Sequence, residues 1–122
     1  MTDQIKLLVV EDEDSLRSLL KSELETYGFA VDEADGGNSA MQSLNSNHYD
    51  VVILDIRMPD IDGLEVLRNI RQENLAEKVI MLTGVNELKI ARDSLEMGAN
   101  DFLTKPYEFK KLLECINRVM KE

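Results

Sequence analysis

The chain has 122 residues, 43% of them hydrophobic and 31% charged, with 24 acidic against 14 basic side chains for a formal net charge of −10. That length fits one domain, spanning 1–122, able to bury a core without staples, and a single cysteine excludes a disulfide framework and makes a reducing compartment the default. So acidic a surface repels phosphate backbones and argues against direct nucleic-acid binding. No apolar run approaches the roughly 20 residues of a membrane span, and Met1-Thr2-Asp3-Gln4 lacks the basic and apolar regions of a signal peptide. A cytoplasmic chain with a cation near its clustered acids is the expectation.

Ile5 to Val10 is an apolar run broken only by Lys6, the pattern of a buried strand, and it ends in four acids, Glu11 to Asp14. Leu16, Leu19, Leu20, Leu24 and Tyr27 then recur at helical spacing, with Asp14 as the expected N-cap and Gly28 as the stop. Phe29 to Ala34 reads as a second strand. Gly36-Gly37-Asn38 opens a weaker helix through Ala40, Met41 and Leu44, which fades by His48.

Val51-Val52-Ile53-Leu54 is mostly β-branched and apolar throughout, a strand buried on both faces. It stops at Asp55, and Pro59 and Asp62-Gly63 supply turn chemistry that cannot continue it. Leu64, Leu67 and Ile70 mark a third helix, and Val79 to Leu82 a fourth strand closed by Thr83-Gly84. Leu88, Ala91 and Leu95 mark a fourth helix ended by Gly98. Asp101 to Thr104 is a short fifth strand before Lys105-Pro106, and Phe109, Leu112, Leu113, Ile116 and Val119 stripe a last helix.

Five βα units with short connections and no internal repeat predict an α/β three-layer sandwich: a parallel sheet with helices on both faces. Right-handed crossovers leave few topologies. Five strands suit the flavodoxin-like (βα)5 order 2-1-3-4-5, whose switch point lies between strands one and three. Those two strands end at Glu11-Asp12 and at Asp55, so the topology gathers three carboxylates. At an effective dielectric near 20, two unit charges about 4 Å apart repel by on the order of 4 kcal/mol. Either one takes up a proton or a cation moves in. Carboxylates with a backbone carbonyl and waters suit Mg²⁺ or Mn²⁺. His48 reads as a solvated loop residue and Cys115 as packing, so no transition-metal site built on His or Cys ligands is expected.

A divalent cation beside a strand-end aspartate suggests phosphoryl chemistry, with the carboxylate as nucleophile. The same edge receives Thr83 from the end of strand four and Lys105 from the end of strand five, a hydroxyl and a cation for the far side of a phosphoryl group. Gly84 leaves room for a bulky ligand.

These residues resemble the receiver domain of two-component response regulators over essentially the whole chain, from Ile5 to about Met120. The resemblance is carried by Leu7-Leu8-Val9-Val10-Glu11-Asp12-Glu13, by Leu54-Asp55-Ile56-Arg57-Met58-Pro59-Asp60-Ile61-Asp62-Gly63, by Met81-Leu82-Thr83-Gly84, and by Gly98-Ala99-Asn100-Asp101-Phe102-Leu103-Thr104-Lys105-Pro106. It implies that Asp55 accepts a phosphoryl group from a phosphohistidine of a sensor histidine kinase or histidine phosphotransfer protein. It further implies that Asp12 binds Mg²⁺ directly, Glu11 through water, and Asp55 and the backbone carbonyl of Arg57 complete the set. Lys105 is expected to pair with Asp55 or its phosphate, and Thr83 to hydrogen-bond a phosphoryl oxygen. Phe102 would be the aromatic that changes rotamer with Thr83, and Lys105–Pro106 would be cis.

The resemblance also implies a phosphoacceptor that assists its own phosphotransfer and dephosphorylation rather than an enzyme with a separate substrate. The face made by the fourth helix, fifth strand and fifth helix would meet an output domain, an effector protein or a second copy, and Ile90, Met97 and Tyr107 are candidates for it. Glu11-Asp12 stands where Asp-Asp is common, and Phe102 where many members carry Tyr, so partner contacts at Phe102 must be apolar.

Other readings fare worse. A phosphatase with an aspartate nucleophile needs an acid two residues after Asp55, where Arg57 stands. A calcium loop at Asp60-Ile61-Asp62-Gly63 would place its end ligands on Met58 and Asn69. A flavin phosphate would be repelled by the acids at 11–14. The remaining alternative is a receiver-like interaction module that is never phosphorylated.

Overall fold

The computed structural model describes residues 4–122, so most of the amino-terminal reading, over Met1-Thr2-Asp3, lies outside the described residues. The elements run β1 (Lys6–Val10), α1 (Asp14–Thr26), β2 (Ala30–Ala34), α2 (Gly37–Ser46), β3 (Tyr49–Asp55), α3 (Gly63–Glu73), β4 (Ala76–Thr83), α4 (Leu88–Glu96), β5 (Asp101–Thr104) and α5 (Phe109–Met120), with a single 3₁₀ turn at Val85–Glu87 before α4. All neighbouring strands pair parallel, in the order β2-β1-β3-β4-β5. This is the flavodoxin-like sheet that the alternation of elements predicts. No helix among the described residues is long and apolar enough to cross a membrane.

Strand periodicity divides the core in two. Leu8, Val10, Val52, Leu54, Val79 and Met81 face a cluster completed by Ala40 and Leu44 of α2, Val66, Leu67 and Ile70 of α3, and Ala91 of α4. Leu7, Val9, Val51, Ile53, Ile80 and Leu82 face the other cluster, with Leu20 and Leu24 of α1 and Leu112, Cys115, Ile116 and Val119 of α5. Burial on both faces explains the apolar runs Leu7–Val10, Val51–Leu54 and Val79–Leu82 in the three central strands. Each fully buried Leu, Ile or Val contributes roughly 1.5–3 kcal/mol relative to exposure.

The predicted strands are shorter than the observed ones at β3 and β4, because Tyr49-Asp50 and Ala76-Glu77-Lys78 pair in the ladder despite their polar members. Glu13, not Asp14, occupies the N-cap position of α1, and its side chain makes no capping bond; Asp14 pairs instead with Arg17 at 2.7 Å. Two predicted helical stripes are too wide. Leu19 of α1 and Tyr27 at its C-cap are 54% and 62% exposed, and in α4 Leu88 and Leu95 are about 40% exposed, with only Ala91 and Ser94 fully buried. The fully buried part of α4 is thus two small side chains, with Ile90 partly buried beside them. Gly28 and Gly98 follow α1 and α4 at positive φ, the backbone that ends a helix most cheaply with glycine.

Helix α2 borrows its amino-terminal cap from a distant loop. Asp60 accepts the Gly37 and Asn38 amide protons at 3.0 and 2.9 Å, which ties α2 to the segment between β3 and α3. These backbone donors hold the Asp60 carboxyl at about 2, below its ordinary 3.8. A depressed folded-state value means that ionised Asp60 supports the fold fully above about 3.8 and loses that support as pH falls through about 2. Asp60→Ala should therefore lower the urea midpoint at neutral pH, and the deficit relative to the parent should shrink below pH 4. A deficit that stays constant across that range would mean the ionised cap is not the cause.

Candidate functional site

The carboxyl ends of β1, β3, β4 and β5 lie along one edge of the sheet. Val10 pairs with Leu54, Asp55 with Leu82, and Thr83 with Thr104, so the residues just past each strand are neighbours by register. Glu11, Asp12 and Asp55 present carboxylate oxygens that all lie within 4.8 Å of one another. Glu11 and Asp55 are buried at 1% and 6% exposure, while Asp12 is open to solvent.

Lys105 answers this concentration of charge. Its Nζ donates to Glu11 Oε1 at 2.7 Å and to Asp55 Oδ2 at 2.8 Å. Burial opposes the lysine charge, but those two carboxylates outweigh it and raise its pKa to about 12. Asp12 is shifted upward, first by desolvation and then by its hydrogen bond and charge repulsion with Glu11. The Lys105–Pro106 bond is cis, and the Lys105 amide donates to the Thr83 carbonyl at 2.7 Å, which continues the β4–β5 ladder up to the site.

Backbone geometry holds the acids in place. Asp55 Oδ1 accepts the Arg57 N–H at 3.3 Å and Glu11 Oε2 the Glu13 N–H at 3.1 Å. Arg17, 12% exposed at its side chain, donates to the Glu11 carbonyl at 2.9 Å while bonding Asp14 at 2.7 Å and Glu33 at 3.1 Å. It anchors the loop that carries the acidic pair. Gly63 opens α3 hard against the strand end, where a Cβ would stand 2.3 Å from the Asp55 carbonyl oxygen. Asp62 caps the helix by accepting the Glu65 N–H at 3.0 Å.

Thr83 is fully buried, and its hydroxyl lies 3.2 Å from the Gly84 carbonyl and 3.4 Å from that of Glu87, bonded within its own turn. Phe102 is half-buried against the α2–α3–α4 side of the core. Of the three residues expected on one partner face, Ile90 and Met97 pack on that same side, but Tyr107 packs with the α1–α5 cluster. There it lines a cleft of about 400 Å³ with Leu16, Leu19, Leu20 and Phe109. Tyr107 directly follows the cis bond, beyond the end of β5, which carries it to the opposite side of the sheet from Phe102.

Sequence reading missed Glu87 and Arg17, since a glutamate in a polar turn and an arginine on a helix are surface residues by default. Glu87 is paired with Arg57 and accepts the Gly84 N–H at 3.0 Å. Burial raises its pKa, but the bonds from Arg57 and Gly84 more than offset this, for a net downward shift. At the opposite edge of the sheet, register brings Glu77 beside Asp50, with His48 Nε2 3.9 Å from Asp50. His48 is exposed, as its polar surroundings predicted, and Asp50 is bonded to the Lys6 N–H at 2.8 Å. Cys115 is fully buried beside Asp101, and desolvation first, then that carboxylate, push its thiol up to about 12, which leaves it unreactive packing.

The sequence profile described as "Response regulator receiver domain" matches residues 7–117. The transcriptional regulatory protein CusR of Escherichia coli K12 is 35% identical over 117 residues, covering 96% of this chain and 52% of CusR. The transcriptional regulatory protein ResD of Bacillus subtilis is 35% identical over 120 residues, covering 98% of this chain and 50% of ResD. The chain thus spans about half the length of these relatives. Among solved structures, the receiver domain of the Francisella response regulator 1452 superposes with a TM-score of 0.89 at 30% identity, covering 97% of this chain and 98% of that one. A CheY-like receiver domain protein from Methanospirillum hungatei JF-1 gives 0.91 at 27% identity, covering 98% and 95%.

The close approach at Gly63 is directly testable. Because the obstructing atoms are the Asp55 carbonyl and the Ile56 Cα, both backbone, a methyl group there must displace α3 or the end of β3. Gly63→Ala should cost about 1–3 kcal/mol of stability, the usual range for overpacking, as read from urea unfolding. A variant as stable as the parent would show that the strand end yields freely.

Proposed function

Because the chain belongs to the response regulator receiver family of two-component signalling, we propose that residues 1–122 act as one phosphoacceptor unit in which Asp55 receives a phosphoryl group from a phosphohistidine. The observation that carries this reading is the pair of bonds from Lys105 to Asp55 and Glu11 at the mouth of a three-carboxylate cluster. The Asp55 carboxylate would attack phosphorus, the phosphorus–nitrogen bond of the donor would break, and the departing imidazole would take up a proton. Asp55 would then carry an acyl phosphate.

Glu11, Asp12 and Asp55 fit a divalent cation: they are hard oxygen donors, close together, and carry three formal charges against the single charge of Lys105. Asp12 and Asp55, with the Arg57 carbonyl, would hold Mg²⁺ or Mn²⁺ directly and Glu11 through water. When bound, the ion would neutralise charge on the transferring phosphoryl group. Lys105 would keep one Asp55 oxygen occupied and then pair with the phosphoryl oxygens.

Phosphorylation adds roughly −1.5 to −2 charges and three strong acceptors. We read Thr83 as leaving its turn carbonyls to donate to one of those oxygens, with Phe102 following by a change of rotamer. The α4-β5-α5 face would change with them and be read by an attached output domain, an effector or a second copy. A full swing from 1:99 to 99:1 takes about 5.5 kcal/mol, more than one hydrogen bond supplies, so several contacts must change together. The chain is itself the acceptor and assists its own transfer and hydrolysis. It would work in the cytoplasm beside a sensor histidine kinase or a histidine phosphotransfer protein.

Incubation with acetyl phosphate and Mg²⁺ should add one phosphoryl group by intact mass, and none to Asp55→Asn or in excess chelator. No adduct with any phosphodonor would favour a receiver-like interaction module instead. Lys105 and a divalent ion would compensate the same cluster of carboxylates, so Lys105→Met should lower stability in chelator and enlarge the rise in melting temperature produced by Mg²⁺. An unchanged or smaller Mg²⁺ response would mean that lysine and ion do not compete.

A further inference from the structure

Every polar group of Glu87 is committed at the rim of the site. Its N–H donates to the Gly84 carbonyl at 3.0 Å, and its Oε1 accepts the Gly84 N–H at 3.0 Å. Its carbonyl lies 3.4 Å from the Thr83 hydroxyl, and its Oε2 is paired with the Arg57 guanidinium. The Glu87 side chain is only 12% exposed, whereas that of Arg57 is 74% exposed. One residue therefore ties the turn carrying Thr83 to the loop carrying Asp55, since the Arg57 N–H donates to Asp55 Oδ1.

The charges make this tie consequential. A phosphodonor brings negative charge to a rim that already holds the largely buried carboxylate of Glu87, and the guanidinium of Arg57, two residues after Asp55, is already paired with that carboxylate. Arginine suits phosphate geometry through its planar fork of donors. As the phosphoryl group arrives, Arg57 can exchange a carboxylate partner for a phosphoryl partner, and loss of that bond loosens the turn that holds the Thr83 hydroxyl.

We propose that Glu87 is a positioning residue that keeps the Arg57 guanidinium and the Thr83 hydroxyl from the phosphoryl site, so that the Arg57–Glu87 pair restrains acceptance of small anionic phosphodonors. This inference rests on the reading of Asp55 as the phosphoacceptor. It gives Glu87 a selective role: a small acyl phosphate must break the pair with its own charge alone, whereas a protein donor can add contacts of its own.

The test is the initial rate of labelling by acetyl phosphate with Mg²⁺, followed by intact mass across donor concentrations, for the parent, Glu87→Gln, Arg57→Ala and the double variant. Glu87→Gln keeps volume and an acceptor for Gly84 while removing the charge. The urea transition of each variant is recorded first, and Glu87→Ala is used if Glu87→Gln does not fold. Glu87→Gln should lower the donor concentration at half-maximal rate about tenfold, the scale on which local charge raises anion capture, with a smaller change in the maximal rate. That gain should vanish when Arg57→Ala is added. No gain, or the same gain with and without the Arg57 guanidinium, overturns the inference and leaves the phosphoacceptor reading in place. Absence of any adduct in all four chains overturns that reading and this inference together.

Discussion

Two buried carboxylates facing a single ammonium set the terms for the rest of this molecule. Glu11 and Asp55 lie almost fully out of water, each bonded to Lys105, and the exposed Asp12 adds a third negative charge within 4.8 Å. Removing one partner of such a group strands the others in a medium that solvates them poorly. The cluster is thus stable yet short of positive charge. That deficit is the physical basis for reading it as a place where a divalent cation and a phosphoryl group meet.

Holding like charges together requires a scaffold that cannot relax away from them. The parallel sheet provides it: β1 and β3 are neighbours, packed on both faces, and they end at the same height. Second contacts then remove the remaining freedom. Arg17 pins the carbonyl of Glu11, Gly63 admits α3 against the Asp55 carbonyl, and Asp60 fastens the following loop to α2. Each acts on backbone, while the oxygens of Glu11 and Asp55 are oriented separately by Lys105 and by the Glu13 and Arg57 N–H groups.

Helices α4 and α5 differ in how firmly they are seated. Helix α5 buries Leu112, Cys115, Ile116 and Val119, whereas α4 buries only Ala91 and Ser94 and leaves Leu88 and Leu95 about 40% exposed. Elements with few buried apolar contacts belong to the low-stability end of a structure, where movement is cheapest. The turn that leads into α4 also holds Thr83 and Glu87, so a helix with few fully buried residues adjoins the residues proposed to sense the phosphoryl group. Phe102 packs on the same side as α4 and Tyr107 on the other, so a change at Thr83 bears first on the α4 side.

Fold class was legible from the chain alone, because buried parallel strands and amphipathic helices leave opposite periodicities and because right-handed crossovers leave few ways to order five strands. The convergence of Glu11, Asp12, Asp55, Thr83 and Lys105 on one edge followed from that order, since they stand at the carboxyl ends of β1, β3, β4 and β5. What the chain could not disclose was side-chain commitment. Nothing in Leu88, Ala91 and Leu95 tells which of them α4 buries, and nothing marks Glu87 or Arg17 apart from other surface charges. Which partner an arginine or a glutamate selects depends on loops distant in sequence, and only the packed structure brings Arg57 to Glu87 or Asp60 to Gly37. Strand-end position is a property of the local pattern and survives in the sequence; long-range pairing of polar groups is a property of the fold and does not.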